Sequence, residues 1–458
     1  MSWRFGGVKV TVGGAAPGAD FGPINGRDAV VAATAPLAVT HPGGSPTVVN
    51  PGDNIVAKRD AAGTNGTLWF TKGLHSLSAL VAPLAGQRWI LESIAGYTRT
   101  VDDSAVLDGN NGALNALIMG TALNVTIRGG VFQRQGNASS ADFAATINHN
   151  AGLSGGGWLL EDIVIQNNFN KAFNLGAPNC TARRVYCTNN GRYGPNVAAV
   201  TPGQEYTGIV IENCRWSFNN SRQLDTGHAA GGSKFVHCPG IIIRDNWAHD
   251  NFGFAIWPDF VGTAGGDIQC TGNVVEHNRR SGIHFEGVVG GGNKIFRNYI
   301  YNNGWDTEPI GPVAAQFTNC AQIRITNADS TLHSGIRSDV SRNFLDFDLP
   351  QDNTVGRHFL LWNHDPIVTD CKNWDVHDNQ FWMRTTNDQR VGGHDNKDAA
   401  GSVNVWDGDN DFFDNEYHVA SDTAKYWKWD TGAGIGVAKN YTEWQGFHPA
   451  DNESLVLI

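Results

Sequence analysis

A histidine and a carboxylate lie two residues apart in the segment GIHFEG, at His284 and Glu286. Alternate side chains of a β-strand leave opposite faces, so Ile283 and Phe285 would fill a core while His284 and Glu286 point outward together. A carboxylate can act as a general acid, a general base or a nucleophile, and an imidazole exchanges protons near neutral pH. This pair is therefore the first candidate for chemistry.

The same alternation in two upstream segments places further polar residues beside this pair. In GFAIWPD the outward residues would be Trp257 and Asp259, and in GGSKFVHC the outward residue would be Lys234. If these segments stack in register, all of them lie with His284 and Glu286 on one exposed outer strip, within about 10 Å.

This combination of residue types is typical of a carbohydrate site. An exposed Trp257 would stack on the apolar face of a pyranose ring. Two carboxylates, Asp259 and Glu286, could divide the acid and base work of glycoside hydrolysis. Lys234 or His284 could instead take a proton beside a uronate carboxylate, with cations stabilising the acid.

Two further polar residues, Asp225 and His228, lie just upstream in LDTGHAAGG and are predicted to overhang the strip and contact substrate. The alternative is an ordinary solvated strand face with ion pairs between neighbouring coils. The sequence leaves both interpretations open.

A repeat supplies the elements that would position these side chains. Pairs of asparagines five residues apart recur, in three adjacent copies at a spacing of roughly 25 residues and once far downstream: Asn246 and Asn251, Asn273 and Asn278, Asn298 and Asn303, Asn410 and Asn415. Each copy holds only short apolar runs, so it must stack on its neighbours to bury them. The pattern predicts an all-β solenoid, a parallel β-helix, with asparagine ladders at its corners.

Four cysteines support the repeat, because each stands just before a new apolar run, in PNC, VHC, TNC and TDC: Cys180, Cys238, Cys320 and Cys371. We expect these thiols to be buried in the core or turns rather than to act as nucleophiles.

These segments resemble the right-handed parallel β-helix superfamily over roughly residues 65 to 420. That superfamily includes pectate-lyase-like enzymes and phage tailspike and tail-fibre domains. The stretch from GGSKFVHCPGIIIRDNWAHDN to NVVEHNRRSGIHFEG, and the ending KYWKWDTG to KNYTEWQGFHPAD, are similar to β-helix proteins of actinobacteria and their phages. The phage resemblance implies a homotrimer. The pectate-lyase-like resemblance implies calcium-bound aspartates and a basic catalytic residue, which no residues here match one by one.

The composition predicts three segments. Residues 1 to 55 are rich in Gly and Pro and are predicted to be an N-terminal arm, which either wraps the first coil or attaches the chain to other tail proteins. Residues 56 to 420 form the β-helix, and residues 421 to 458, rich in Trp and Tyr, form a C-terminal cap.

Charge and composition exclude several classes of protein. A formal net charge of −11 argues against nucleic acid or an anionic membrane as partner. The sequence contains no run of 18 apolar residues, so we expect no membrane span. The first residues lack the pattern of a secretory signal peptide. Asp407, Asp409 and Asp411 have the spacing of a calcium loop but lack its glycine, so the asparagine repeat explains them better and calcium stays the less favoured alternative. We expect no other metal or cofactor.

Three functions remain. The first is a phage tail protein in the virion that binds host cell-surface polysaccharide and can also cleave it. The second is a bacterial, extracellular polysaccharide lyase, glycoside hydrolase or epimerase. The third is a structural or adhesive solenoid without catalysis.

Overall fold

The computed structural model describes the following residues, to which every structural statement below refers: 2–5, 8–12, 26–141, 144–198, 204–226, 231–259, 266–304, 320–326, 328, 336–347, 357–363, 371–383, 390–395, 410–421, 427–430, 437–440, 442–443 and 454–457. The chain divides into two compact units. We call Asp28–Phe252 the N-terminal unit, and Met1–Arg27 together with Gly253–Ile458 the C-terminal unit.

The N-terminal unit is built from three sheets whose paired strands are parallel. The first sheet contains β5 Gly73–Ser76, β7 Ala105–Asp108, β10 Val131–Gln133, β13 Val164–Gln166, β16 Tyr186–Thr188, β19 Arg215–Ser217 and β22 Trp247–His249. The second contains β8 Ile118–Gly120, β11 Ala145–His149, β14 Lys171–Leu175, β17 Pro195–Val197 and β20 Lys234–Val236. The third contains β3 Thr47–Val49, β4 Thr67–Phe70, β6 Arg88–Leu91, β9 Thr126–Gly129, β12 Leu159–Glu161, β15 Thr181–Arg183, β18 Val210–Glu212 and β21 Ile242–Arg244.

The C-terminal unit has the same plan. Its first sheet contains β25 Val274–Glu276, β28 Tyr299–Tyr301, β31 Phe344–Phe347, β34 Gln380–Met383, β37 Glu416–Val419, β40 Ser454–Leu457, β2 Val8–Val12 and β1 Ser2–Phe5. Its second contains β23 Pro258–Asp259, β26 Ile283–Glu286, β29 Ile323–Thr326, β32 Arg357–Asn363, β35 Arg390–Asp395, β38 Trp427–Asp430 and β39 Val437–Lys439. Its third contains β24 Gln269–Thr271, β27 Lys294–Phe296, β30 Ser338–Ser341, β33 Trp374–His377 and β36 Asp411–Phe413. Only β1 with β2, and β38 with β39, pair antiparallel among these strands.

Successive strands of the chain visit the three sheets in turn, and each pairs with the strand one coil away. This is the parallel β-helix that the asparagine repeat predicts, and the prediction is confirmed. Inward rows stack apolar side chains at the same level of each coil, as in the row Leu107, Phe132, Ile165, Cys187 and Trp216 of the first sheet, all fully buried.

The thiols belong to this core. All seven cysteines lie in described ranges, are buried and form no disulfide. Burial raises the pKa of Cys180 to about 11 and that of Cys214 to about 12. A thiol that stays protonated is a poor nucleophile, so the predicted structural role of the cysteines agrees with their surroundings.

Asparagine ladders close the corners. In the C-terminal unit each amide donates to the side-chain oxygen of the next, through Asn273, Asn298, Asn343, Asn379 and Asn415, over donor–acceptor distances of 2.9–3.1 Å. In the N-terminal unit a second ladder joins Asn168, Asn190, Asn219 and Asn251. Residues just before ladder positions, such as Asn189, Asp250 and Asp378, have left-handed backbone, which Asn and Asp tolerate better than most residues with a Cβ.

Some helical structure accompanies the sheets among the described residues. Helix α1 spans Arg27–Ala33 and helix α2 spans Ile55–Ala62, with a 3₁₀ turn at Gly152–Ser154. Strand β2 pairs with β40, and β40 lies in the segment predicted to be the C-terminal cap. The boundaries at residues 55 and 420 stay predictions. No helix among the described residues has the length and apolar character needed to span a membrane.

Candidate functional site

Three neighbouring strands of the second sheet in the C-terminal unit bring the candidate residues together. Asp259 on β23 pairs with Glu286 on β26, which in turn pairs with Thr326 on β29. Ile256 bridges to Ile283, so Trp257 stands beside His284 one coil away. The register that apolar alternation predicts for these segments is confirmed.

The prediction that this strip is exposed is wrong. Trp257 and His284 are each 1% exposed and Asp259 is 4% exposed. Glu286 alone among these four has substantial access to solvent, with 27% of its side chain exposed. Outward direction from a strand did not mean exposure, because side chains of the same face pack over one another.

An aromatic cluster buries the histidine. The ring centroids of Phe254 and His284 lie 4.4 Å apart, and those of Phe254 and Trp257 lie 4.8 Å apart. Trp257 and His284 are nearly parallel, with an interplanar angle of 16° and centroids 5.7 Å apart. Neither face of the buried indole is open to a sugar. The prediction that Trp257 is an exposed stacking platform is therefore wrong.

Trp257 instead positions the carboxylate. Its Nε1–H donates a hydrogen bond to Glu286 Oε2 over 3.0 Å. The Nε2 atom of His284 lies 3.9 Å from the same oxygen, too far for a hydrogen bond. Glu286 is thus held at the surface by the indole N–H of Trp257, with the buried imidazole beside it.

Two residues of β29 that we did not predict complete the site. Arg324 is buried, and its Nε–H donates to Thr326 Oγ1 over 3.0 Å. Burial lowers the pKa of Arg324 to about 10, while the negative charge of Glu286 acts in the opposite direction. The segment IRIT has the same alternation as IHFE and follows the TNC motif, so the signal for Arg324 and Thr326 was present in the sequence.

The remaining predicted residues belong to the N-terminal unit. Lys234 lies on β20 in register with Asn196, and it is 9% exposed, so its predicted exposure is also wrong. Asp225 is half-buried. His228 lies outside the described residues. Whether these three act together with Glu286 stays a prediction.

Lys171, on β14 of the same unit, was not predicted from the sequence. Its side-chain pKa is strongly lowered. Burial, together with the positive charges of Arg192 and Lys234, lowers the pKa of Lys171 to about 7. A lysine in this state can accept a proton at neutral pH. The alternation of apolar and polar residues did not indicate Lys171, because it is the first residue of its strand.

A metal centre is not evident in the described part of the chain, where no three His, Cys, Asp or Glu side chains are grouped to hold an ion. Of the three aspartates with calcium-loop spacing, Asp407 and Asp409 lie outside the described ranges. Asp411 pairs with Arg337 over 2.8 Å.

The fold defines the chain as a parallel β-helix protein with a partly exposed glutamate on one sheet face. No protein-family model matches the chain, and no curated protein does. Among solved structures, the A-module of mannuronan C-5 epimerase AlgE4 from Azotobacter vinelandii is similar at 12% identity and TM-score 0.45, covering 71% of this chain and 88% of that one. The catalytic domain of a GH87 alpha-1,3-glucanase is similar at 11% identity and TM-score 0.45, covering 92% and 69%.

Pectate lyase Pel9A is also similar, at 13% identity and TM-score 0.34, with 87% of this chain and 83% of that one covered. With TM-scores below 0.5 these likenesses carry no argument about activity. The β-helix assignment rests on the three parallel sheets of this chain.

Proposed function

We propose that this β-helix binds a polysaccharide and hydrolyses one of its glycosidic bonds, with Glu286 and Asp259 as the two carboxyl groups. The observation that carries the proposal is their placement on paired positions of β23 and β26. Glu286 is the member that a ligand in solvent reaches, and Trp257 holds its Oε2.

The spacing of the strands suggests the stereochemical course. Paired strands lie about 4.8 Å apart, so two carboxyl groups leaving the same face come to roughly 5 Å. Retaining glycosidases have this spacing, whereas inverting enzymes need roughly 6.5–9.5 Å to admit a water molecule. Glu286 would attack the anomeric carbon while Asp259 gives its proton to the leaving oxygen. Water then breaks the glycosyl ester, and Asp259 takes up its proton.

The test compares the wild-type chain with Glu286→Gln and Asp259→Asn on purified envelope polysaccharides, scoring binding and new reducing ends together. We expect both site variants to lose cleavage and keep binding. The product of the wild-type chain should retain the anomeric configuration, as followed by NMR. The control is Glu416→Gln, because Glu416 is a carboxylate of similar exposure, 35%, on another sheet of the same unit. Unchanged turnover in both site variants would overturn the proposal, and binding without any cleavage would leave the solenoid an adhesin.

The biological setting that we propose is a phage tail, in which the chain is part of the virion and binds host cell-surface polysaccharide. This setting rests on the resemblance of the repeat to tail-associated β-helices, which also implies a homotrimer and contacts with other tail proteins through the N-terminal arm. Light scattering of the purified chain should then give three times its 49.4 kDa. A monomer would count against the tail assignment.

Lys171 favours a second candidate, a lyase or epimerase acting on uronates. With its pKa lowered to about 7, Lys171 can take the C5 proton of a uronate, and Arg192 and Lys234 are neighbouring cations for the sugar carboxylate. In a lyase, elimination would then break the bond between C4 and the glycosidic oxygen, which takes a proton from water, and leave a C4–C5 double bond in the sugar. Ultraviolet absorbance of the products, abolished in Lys171→Met and retained in Glu286→Gln, would select this candidate over hydrolysis.

A further inference from the structure

One hydroxyl group lies between the buried arginine and the buried histidine of the site. Thr326 Oγ1 is 3.0 Å from Arg324 Nε and 3.2 Å from His284 Nε2, and all three residues are buried. Among the side chains of the candidate site, this oxygen joins two strands, since His284 lies on β26 and the other two on β29.

The chemistry of the three groups fixes their roles. A guanidinium N–H can only donate, so Thr326 Oγ1 gives one lone pair to Arg324. Its O–H and second lone pair remain, and either can serve His284 Nε2, whichever ring nitrogen carries the proton. Threonine is branched at Cβ and has restricted χ1, so its hydroxyl is a rigid anchor rather than a mobile one.

The anchor lies beside the proposed nucleophile, Glu286. Thr326 is paired with Glu286 across the two strands, and His284 Nε2 points to within 3.9 Å of Glu286 Oε2. Phe254 and Trp257 restrain the plane of the imidazole, but packing alone leaves two orientations related by a half-turn about χ2. A hydrogen bond at Nε2 selects one of them.

We propose that Thr326 is a positioning residue, whose hydroxyl, oriented by Arg324, fixes the imidazole of His284 beside Glu286. The proposal rests on the proposed function for its catalytic consequence. Its physical content, the hydrogen bond between Thr326 and His284, holds independently of any turnover.

The experiment compares Thr326→Val, which keeps the shape and removes the hydroxyl, with Thr326→Ser, which keeps the hydroxyl. Histidine ring nitrogens are followed by NMR in the full chain labelled with ¹⁵N-histidine, and the His284 signals are assigned with His284→Gln. We expect the valine variant to shift the His284 Nε2 resonance and to lower kcat about tenfold, with KM changed less than about twofold. The serine variant should retain both properties.

The outcomes separate the two proposals. If no substrate is cleaved by the wild-type chain, the resonance shift still tests the hydrogen bond while the proposed function fails. An unmoved His284 resonance in the valine variant, or full turnover without the hydroxyl, would overturn the positioning role. Should Thr326→Val not fold, Thr326→Cys, which replaces the hydroxyl by a weak thiol donor, gives the same comparison.

Discussion

Trp257 acts on Glu286 through one atom group, the N–H of its indole, which lies 3.0 Å from the carboxylate. A tryptophan beside carboxylates predicts a sugar platform, but its ring is packed against Phe254 and His284. Its contribution is the indole N–H, which restrains the rotamer of Glu286. A tryptophan beside carboxylates can either position one of them or contact a ligand. Its burial decides between the two roles.

Replacing Trp257 by phenylalanine should test this role. The aromatic packing is largely kept while the hydrogen bond to Glu286 is lost, and a bond to a charged group is worth about 1.5–3 kcal/mol. We expect turnover to fall by roughly tenfold or more, with affinity for polysaccharide nearly unchanged. Trp374→Phe is the control, because Trp374 is equally buried and its Nε1–H donates to the carbonyl of Ala328 instead. Equal losses of activity in both variants would contradict the assignment.

His377 offers a pH-dependent contribution to stability away from the site. Its Nε2 lies 3.1 Å from Asp339 Oδ1 and its Nδ1 lies 3.1 Å from Asp378 Oδ2, and hydrogen bonding to Asp339 is the main cause that raises the pKa of His377. A pKa raised by folding stabilises the native state below the unfolded value of about 6.5, and this stabilisation is lost as pH rises through the folded pKa.

The free energy of unfolding should therefore differ most between the wild-type chain and His377→Gln in mildly acidic buffer. The difference should shrink as pH is raised from about 6 to about 9. Urea unfolding at a series of pH values measures it. His41→Gln, at an exposed histidine, is the control. A difference that stays constant across the series would show that His377 contributes through packing on Phe413, whose ring stacks on it at 4.7 Å.

At the scale of elements, the asparagine ladder is the feature that the sequence predicted best. Spacing alone placed Asn273 and Asn298 in equivalent positions. It grouped Asn410 with them, whereas the structure continues their ladder through Asn343 and Asn379 to Asn415. The ladder works because a buried amide satisfies neighbouring backbone groups as well as the next amide. Asn343, for example, also donates to the carbonyl of Ile295.

Asn343→Ala should be strongly destabilising. The change removes the acceptor for the backbone and side-chain N–H groups of Asn298 and the donor to Ile295 and Asn379, all buried. Buried groups left without a partner cost about 1–3 kcal/mol each, so we expect a loss of about 3 kcal/mol or more in urea unfolding. Asn115→Ala is the control, since that exposed asparagine accepts one backbone hydrogen bond. Similar losses of unfolding free energy in both variants would show that the ladder stabilises the chain no more than a single exposed hydrogen bond.

The strands also show what the sequence could not predict. Alternation correctly assigned Ile283 and Phe285 to the core and paired Asp259 with Glu286. It could not predict that His284 would be covered, because coverage depends on Phe254, which packs on the imidazole and is itself contacted by the guanidinium of Arg324. Periodicity gives the face of a strand that a side chain leaves, whereas burial depends on everything that packs over that face.

At the scale of the whole molecule, a contact in the C-terminal unit fastens the first residues of the chain. Arg27 forms a two-pronged ion pair with Glu276 of β25, with N–O distances of 2.9 and 2.7 Å, and Glu276 is buried. A guanidinium suits this geometry because its fork matches the two carboxylate oxygens.

Arg27→Ala should therefore make the first residues more susceptible to proteolysis, and Arg27→Lys should have an intermediate effect because lysine keeps the charge but not the fork. Limited digestion with chymotrypsin, followed by mass spectrometry of the N-terminal peptides, measures the rate of loss. Lys58→Ala, which removes an exposed pair with Asp53, is the control. If all three variants are cut as slowly as the wild-type chain, the pair does not anchor this segment.

The ladder of the C-terminal unit tolerates very different lengths of chain between its members. Consecutive amides are separated by 25, 45, 36 and 36 residues, yet their hydrogen bonds are nearly identical in length. Insertions between coils are thus uncoupled from the rungs that hold the coils together. An evolving lineage could exchange whole loops, and with them ligand preference, while inheriting the frame unaltered, which makes such a spiral a ready scaffold for grafting new recognition segments.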